Sequence, residues 1–181
     1  MNWKRKLYLL EKNKEWDKSI KLMQEVIALE PNNADAYIMG NYLLMNLLVE
    51  EDYNTDKHDY YAILLKNFYL DSYNKFKTNP EYLFFTAITA YMSEWYFEIE
   101  IEDVKRMLIK AVTIEPENKL YQWGYYTYLN MSDKKQVEKG IEIAKEILKS
   151  PSLIETLKSK GAVGEYILDM MTNWVRTSKE V

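Results

Sequence analysis

Near the start of the chain lies a stretch, residues 3–31, that reads WKRKLYLLEKNKEWDKSIKLMQEVIALEP. A second stretch, residues 88–116, places comparable side chains at the same intervals, 0, 7, 13, 16, 20, 23 and 28 residues from its first position. The matched positions are Trp3, Leu10, Trp16, Ser19, Met23, Val26 and Pro31, and then Ile88, Trp95, Ile101, Val104, Leu108, Ala111 and Pro116. This spacing is typical of a helical hairpin that ends at a proline, so its recurrence predicts an array of hairpins.

The rest of the 181-residue chain also follows the helical period, and no segment joins strand-like alternation to a hairpin turn dipeptide. We therefore predict an all-α fold, an α-solenoid of stacked antiparallel helix hairpins with about 8–10 helices, in a single domain over residues 1–181. The predicted helices cover residues 2–12, 15–29, 34–50, 57–77, 80–97, 101–114, 118–130, 134–149, 152–160 and 163–177. Because each hairpin buries its apolar face against its neighbours, we expect Trp3, Trp16 and Trp95 to fill the gaps between hairpins.

The C-terminal segment, residues 152–177, is predicted to form capping helices. The apolar stripe of the last helix consists of Val163, Ile167, Met170, Trp174 and Val175, while Glu165, Asp169, Thr172 and Arg176 face elsewhere. Such a stripe favours a helix that seals the exposed end of a stack. A role as a docking element is the alternative.

One segment departs from the helical period. Apolar residues at 97, 99 and 101 alternate with glutamates at 98, 100 and 102, and this period of two is typical of a strand. A short extended link and a loosely helical connection both remain open for this segment. The flanking segments are predicted to be helical in either case.

Composition excludes several classes of protein. Cysteine is absent, so the chain has neither disulfides nor thiolate metal sites, which suits a reducing compartment. The most apolar run, residues 37–49, is too short to cross a bilayer and contains two asparagines. The N-terminal residues lack an apolar segment of signal-peptide length. We therefore expect a cytoplasmic protein with no membrane association.

The distribution of charge is uneven. The net charge is -4, but residues 50–117 hold 14 acidic and 7 basic residues, while the flanking segments are net basic. Affinity for a nucleic-acid backbone requires clustered lysines and arginines, so direct binding of nucleic acid is not expected. An acidic middle segment favours a basic protein partner.

The repeated positions resemble the tetratricopeptide repeat (TPR), whose pattern is W-x2-L-G-x2-Y, then A-x3-F, then P. Trp3 and Pro31 match the outer positions of the motif, with Leu10 at the tyrosine position, Ser19 at the small position and Met23 at the phenylalanine position. The resemblance is irregular, because the hairpin at residues 34–77 is longer than a standard repeat. It implies a TPR-like stack whose first helices line a concave groove.

Twelve residues are predicted to contact a partner. In the frame that the resemblance implies, the groove is lined by polar or amphipathic side chains, which are Tyr42, Asn46, Thr89, Ser93, Tyr96, Trp123, Thr127 and Asn130. A second set forms an acidic cluster of Glu98, Glu100, Glu102 and Asp103, with no basic residue between positions 94 and 105. Ordinary core packing for the aromatic residues and a solvated surface for the acids are the alternatives.

No motif indicates catalysis, a cofactor or a metal. Asp52, Asn54 and Asp56 resemble the opening of a calcium loop, but Lys57 and Ile63 stand where the loop needs glycine and glutamate. His58 is the only histidine, and we expect it at the surface. The sequence also lacks a phosphate-binding glycine loop, G-x-S-x-G and H-E-x-x-H.

These observations favour a non-enzymatic protein-binding module. The most concrete hypothesis is a cytoplasmic immunity protein that binds and neutralises a basic bacterial toxin domain. The alternative is a TPR-like chaperone or adaptor that captures an extended peptide of a secreted or signalling protein. An enzyme built from scattered Glu, Tyr and His residues and a self-associating structural protein are further alternatives, and the partner's fold and the oligomeric state stay open.

Overall fold

The computed structural model describes residues 2–178, and over that range the chain forms eleven α-helices and no strand. The helices are α1 (Trp3–Lys12), α2 (Trp16–Leu29), α3 (Ala34–Glu50), α4 (His58–Phe76), α5 (Pro80–Tyr91), α6 (Glu94–Phe97), α7 (Ile101–Ile114), α8 (Lys119–Tyr128), α9 (Lys134–Ile147), α10 (Pro151–Lys158) and α11 (Ala162–Thr177). A short 3-10 helix, Thr55–Lys57, precedes α4. The all-α prediction is confirmed.

Local capping chemistry sets the starts of several helices. Asn79 accepts a hydrogen bond from the backbone N–H of Tyr82 at 3.0 Å, and Pro80 follows it as the first residue of α5. Asn33 and Asn118 cap α3 and α8 in the same way. An amide oxygen at this position satisfies a backbone donor that the helix itself leaves unpaired. The asparagines beside the prolines therefore mark the turns between helices.

Helices that follow one another in sequence pack in pairs. Helix α1 packs on α2, α3 on α4, α5 on α7, α8 on α9 and α10 on α11. The pairs contact one another through α2 and α3, α3 and α5, and α7 and α8. Helix α11 contacts α9 and also α3, which lies far earlier in the chain.

Helices α3 and α5 form the centre of the core. Every residue from 36 to 45 in α3 and from 82 to 90 in α5 is buried. A helix that other elements surround is apolar on all sides and has no single apolar stripe. The outer helices α7 and α9 instead bury one face each, through residues such as Leu108 and Ile143.

The segment between α5 and α7 differs from the predicted continuous helix over residues 80–97. Helix α5 ends at Tyr91, and the separate short helix α6 ends where Glu98 takes a left-handed conformation, with φ of 53°. Residues 98–100 form a non-helical link, and Glu100 is extended. Trp95, expected between two hairpins, is therefore carried to the surface with 59% of its area exposed.

The last helix has the predicted apolar stripe. Val163 and Ile167 are buried, and Met170 and Val175 pack against the core as partly buried side chains. The predicted polar face is exposed at Glu165, among others. Within residues 2–178, no helix is both long and apolar enough to cross a bilayer.

Candidate partner-binding surfaces

The residues predicted to line a groove are mostly enclosed. Tyr42, Thr89, Ser93, Trp123 and Thr127 are all buried, Asn46 is half-buried, and Asn130 is exposed. A partner cannot contact the five buried side chains while the structure stays as it is. Two different arrangements account for the burial of Tyr42, Trp123 and Thr127.

The first arrangement is a cover formed by α11. The ring of Tyr166 lies 6.0 Å from that of Tyr42 in α3, measured between centroids. The hydroxyl of Tyr128 in α8 donates to Met170 Sδ at 2.9 Å. Helix α11 thus lies over the side of α3 and α8 that holds these two tyrosines. We call this covered side of α3 and α8 the inner face.

A buried lysine, Lys160, anchors the turn that precedes α11. Lys160 is 5% exposed, and its Nζ lies 2.6 Å from Asp35 Oδ1 in α3 and 2.7 Å from Glu81 Oε1 in α5. The same ammonium lies 5.6 Å from the centre of the Phe85 ring. Burial acts against ionisation of Asp35, but hydrogen bonds from Lys160 and Lys4 hold the pKa of this carboxyl below its ordinary value.

The second arrangement is packing inside a helix pair. A Cβ atom on Gly140 of α9 would lie 3.1 Å from Thr127 Oγ1, so Thr127 faces α9 closely. The ring of Trp123 lies 6.4 Å from Phe84 and 5.8 Å from Tyr128. The frame implied by the TPR motif put Trp123 and Thr127 in the groove, whereas here they lie in the core. The absence of a side chain at Gly140 allows α9 to approach this part of α8.

The acidic set lies at the surface. Glu98, Glu100 and Glu102 are exposed, and Tyr96 and Asp103 are half-buried. The carboxylate of Asp103 accepts a hydrogen bond from the backbone N–H of Glu100 at 3.1 Å, which fixes the start of α7.

Three of these acids have basic neighbours. Lys66 Nζ lies 2.6 Å from Glu98 Oε2, Lys105 pairs with Glu102, and Arg106 pairs with Asp103. Within residues 2–178, neither Glu94 nor Glu100 forms an ion pair. The lysine at 66 could not be foreseen because it comes from α4.

An apolar patch lies beside these acids. Trp95 and Ile63 are 59% and 58% exposed, and with Lys66, Tyr96 and Glu98 they line a shallow cavity of about 250 Å³. Tyr60 and Leu70 extend the same side of α4, where positions three and seven residues apart share a face. We call the group formed by Tyr60, Ile63, Lys66, Leu70, Trp95, Tyr96 and Glu98 the α4–α6 surface. Sequence reasoning missed the α4 residues because α4 shows only a weak apolar stripe.

His58 supports the edge of this surface. It was expected at the surface, but it is half-buried between two tyrosines. Tyr53 Oη lies 2.5 Å from its Nδ1, and Tyr96 Oη lies 3.4 Å from its Nε2. This contact joins the start of α4 to α6 and positions Tyr96. Among the described residues, no group of three or more His, Asp or Glu side chains is placed to hold a metal ion.

A second cavity, of about 260 Å³, lies between α2 and the start of α4, lined in part by Trp16, Tyr53 and Tyr61. The carboxylate of Asp17 at its edge accepts hydrogen bonds from Lys57 and, at 2.7 Å, from Tyr61. These two donors lower the pKa of Asp17. The charges of Asp17 and Lys57 at this cavity are thus paired internally.

The chain matches no protein-family model, and comparisons with curated proteins and with solved structures give no significant match. Function therefore has to be inferred from the surfaces just described.

Proposed function

We propose that this chain is a non-enzymatic, cytoplasmic, TPR-like α-solenoid that binds a basic protein through its α4–α6 surface. In its most concrete form, the proposal is an immunity protein that neutralises a basic bacterial toxin domain. The consecutive pairing of helices supports the repeat architecture. The observation that carries the binding proposal is the exposed Trp95 beside Ile63, with Glu98 lining the same cavity and Glu94 and Glu100 close by in the chain.

Trp95 has the properties of an interface anchor. A tryptophan in the centre of an interface often accounts for about 2 kcal/mol or more of binding free energy. Ile63 and Tyr60 add apolar area on the same side, and His58 restrains Tyr96 next to it. Side chains that are already oriented lose little conformational freedom when a partner binds.

The surrounding carboxylates favour a basic partner. Glu94 adjoins Trp95 in the chain, and Glu100 follows five residues later. Neither has an ion pair among the described residues, and Glu98 is held by Lys66 alone. Opposite charges across an interface accelerate association and select the partner, and added salt weakens that effect. We therefore expect binding that combines an apolar anchor with salt-sensitive association.

The alternative, a chaperone or adaptor that captures an extended peptide, has less support. Such a protein would use the groove, but α11 covers the inner face around Tyr42 and Tyr128. The peptide would first have to displace α11.

The test is capture of the partner by the tagged full chain from its native source, followed by binding measurements with the purified pair. The informative variants are Trp95→Ala and the double charge reversal Glu94→Lys with Glu100→Lys. The matched controls are Leu29→Ala, at another exposed apolar residue, and Glu25→Lys with Glu117→Lys, at exposed acids elsewhere.

We expect a basic polypeptide whose toxicity the chain suppresses. Trp95→Ala should weaken its binding about thirtyfold, and the charge reversal should slow association about tenfold at low salt. The controls should bind like the unmodified chain. Equal affinity in all variants would remove the α4–α6 surface from the proposal, and a captured extended peptide that binds all variants equally would favour the peptide-capture alternative.

A further inference from the structure

A second apolar area lies between α9 and the last turns of α11. Two shallow cavities there, of about 360 and 380 Å³, are lined by residues of these two helices and of the turns beside α9. Val137 and Ile141 line the first cavity with Trp174, and Lys145 and Leu148 line the second. The α9 positions 137, 141, 145 and 148 are three or four residues apart, so they follow one stripe of the helix. We call the group formed by Val137, Ile141, Lys145, Leu148, Lys149 and Trp174 the α9–α11 surface.

Four lysines on α9 or directly after it have no acidic partner. Lys145 and Lys149 are exposed, as are the lysines at 134 and 135, and none of the four forms an ion pair within residues 2–178. Two of the three acids of α9 are themselves paired with lysines, which leaves Glu138 as the unpaired acid of this helix in the described chain. The α9–α11 surface is therefore an apolar area with a basic border.

The α4–α6 surface has the opposite border. Its centre is the exposed Trp95 beside Ile63, Glu98 lines the same cavity, and Glu94 and Glu100 have no ion pair within residues 2–178. Helices α4 and α6 pack on α3 and α5, whereas α9 packs on α8 and α11. The two surfaces thus lie on different helices, and one copy of the chain leaves both accessible. Opposite charges around two apolar centres make the surfaces complementary.

We propose that a second copy of this chain binds the α9–α11 surface through its own α4–α6 surface. Trp95 of one copy lies against Trp174 of the other, and the glutamates near Trp95 face Lys145 and Lys149. A contact between two different surfaces is heterologous, so copies add in series and do not stop at a closed pair.

This inference goes beyond the proposed function because it requires no other protein. Both nevertheless use the α4–α6 surface, so a copy whose Trp95 is held by another copy cannot bind a basic partner at the same time. Self-association would therefore store the chain in a form that a basic partner takes apart.

The test is sedimentation velocity of the purified full chain at low salt. Between about 1 μM and about 1 mM we expect the average mass to rise past that of two copies, with half of the chain associated near about 100 μM. Added salt should lower the average mass, because it screens the charges at the contact. Trp95→Ala and the double reversal Lys145→Glu with Lys149→Glu should each weaken association by about tenfold or more.

A mixture of these two variants shows whether the contact joins different surfaces. Trp95→Ala keeps its α9–α11 surface, and the lysine reversal keeps its α4–α6 surface. An equimolar mixture should form pairs with the affinity of the unmodified chain, and these pairs should not grow because each copy has only one intact surface. Pairing in the mixture also shows that both variants are folded.

The matched controls change exposed residues elsewhere. Leu29→Ala replaces another exposed apolar side chain, and Lys21→Glu with Lys110→Glu reverses two other exposed lysines. Both controls should associate like the unmodified chain.

The inference is overturned if the full chain stays monomeric up to about 1 mM, if the reversal at 145 and 149 leaves association unchanged, or if the mixed variants do not pair. The lysine reversal also separates this inference from the proposed function, since it should leave binding of a basic partner intact. A monomeric chain that captures a basic protein through Trp95 would remove this inference alone. Self-association without any captured protein would remove only the proposed function.

Discussion

Lys160 shows how a single buried charge can join distant parts of this chain. Its ammonium contacts carboxylates of α3 and α5 from the turn that precedes α11. A buried charge is stable only with such partners, because removal from water costs several kcal/mol. Lys4 also bonds Asp35, but from a more exposed position.

Lys160→Met should therefore destabilise the protein by about 2 kcal/mol, since Asp35 and Glu81 lose a buried partner while retaining some contact with water. Lys4→Met serves as the control and should cost less than about 1 kcal/mol. Urea unfolding measures both values. Equal losses of unfolding free energy in the two variants would show that the buried ion pairs of Lys160 stabilise the protein no more than the exposed ion pair of Lys4.

Glu11 gives the protein an unusual dependence on pH. Burial raises its pKa to about 7 in the folded chain, from 4.5 without the folded environment. Between pH 4.5 and 7, Glu11 keeps its proton in the folded state and has lost it in the unfolded state. The free energy of unfolding therefore falls as pH rises through this range. The facing charges are Glu165, which acts on Glu11, and Glu50 and Asp169, which act with Glu11 on Tyr42.

We expect the free energy of unfolding to decrease by about 3 kcal/mol between pH 4.5 and 8 through this group. Glu11→Gln should remove that part of the pH dependence, while Glu25→Gln, at an exposed position, should not. Urea titrations over this pH range provide the measurement. An unchanged pH profile in Glu11→Gln would contradict the assignment.

At the scale of helices, the sequence predicted most elements because their starts and ends are set by local chemistry. Prolines at 80 and 151 and asparagines at 33, 79 and 118 act within one turn of their own position. The link after Phe97 was visible as an alternating pattern, and the extended alternative matches residues 98–100. The break between Tyr91 and Glu94 was missed, and so was the exposure of Trp95.

Helices α10 and α11 cross in close contact at Gly164. A Cβ atom there would lie 1.8 Å from the carbonyl oxygen of Leu157, and a backbone atom cannot move aside as a side chain can. Gly164→Ala should destabilise the protein by about 3 kcal/mol despite the better helix propensity of alanine. Glu165→Ala, at the exposed neighbouring position, is the control. Thermal unfolding of both variants tests this, and a more stable Gly164→Ala protein would refute the close crossing.

At the scale of the whole molecule, the return of α11 to α3 decides which predicted residues are accessible. The groove prediction considered each hairpin and its neighbours, but Lys160 and Asp35 are 125 residues apart in sequence. A contact of that range has no local pattern, so burial of Tyr42 could not be predicted. The acidic residues at 98, 100 and 102 were easier to place, because exposed charges need no long-range information.

A chain that ends at residue 160 should associate with itself. Loss of α11 would expose Met39, Tyr42 and Tyr128 together, and an apolar patch of this kind favours contact between copies. Size-exclusion chromatography with light scattering gives the ratio of the measured mass to the mass of one chain. At equal concentration, this ratio should be larger for the truncated chain than for the full chain. Identical mass ratios would mean that the inner face closes without α11.

The position of α11 in the chain also orders events during translation. Every helix that α11 touches precedes it, so the ribosome releases α3, α8 and α9 before their cover exists. Synthesis adds roughly 5–20 residues per second, which leaves Tyr42 and Tyr128 uncovered for seconds on a nascent chain. A nascent chain therefore exposes an apolar area that its last helix later covers, so a factor that binds such areas has only these seconds in which to act.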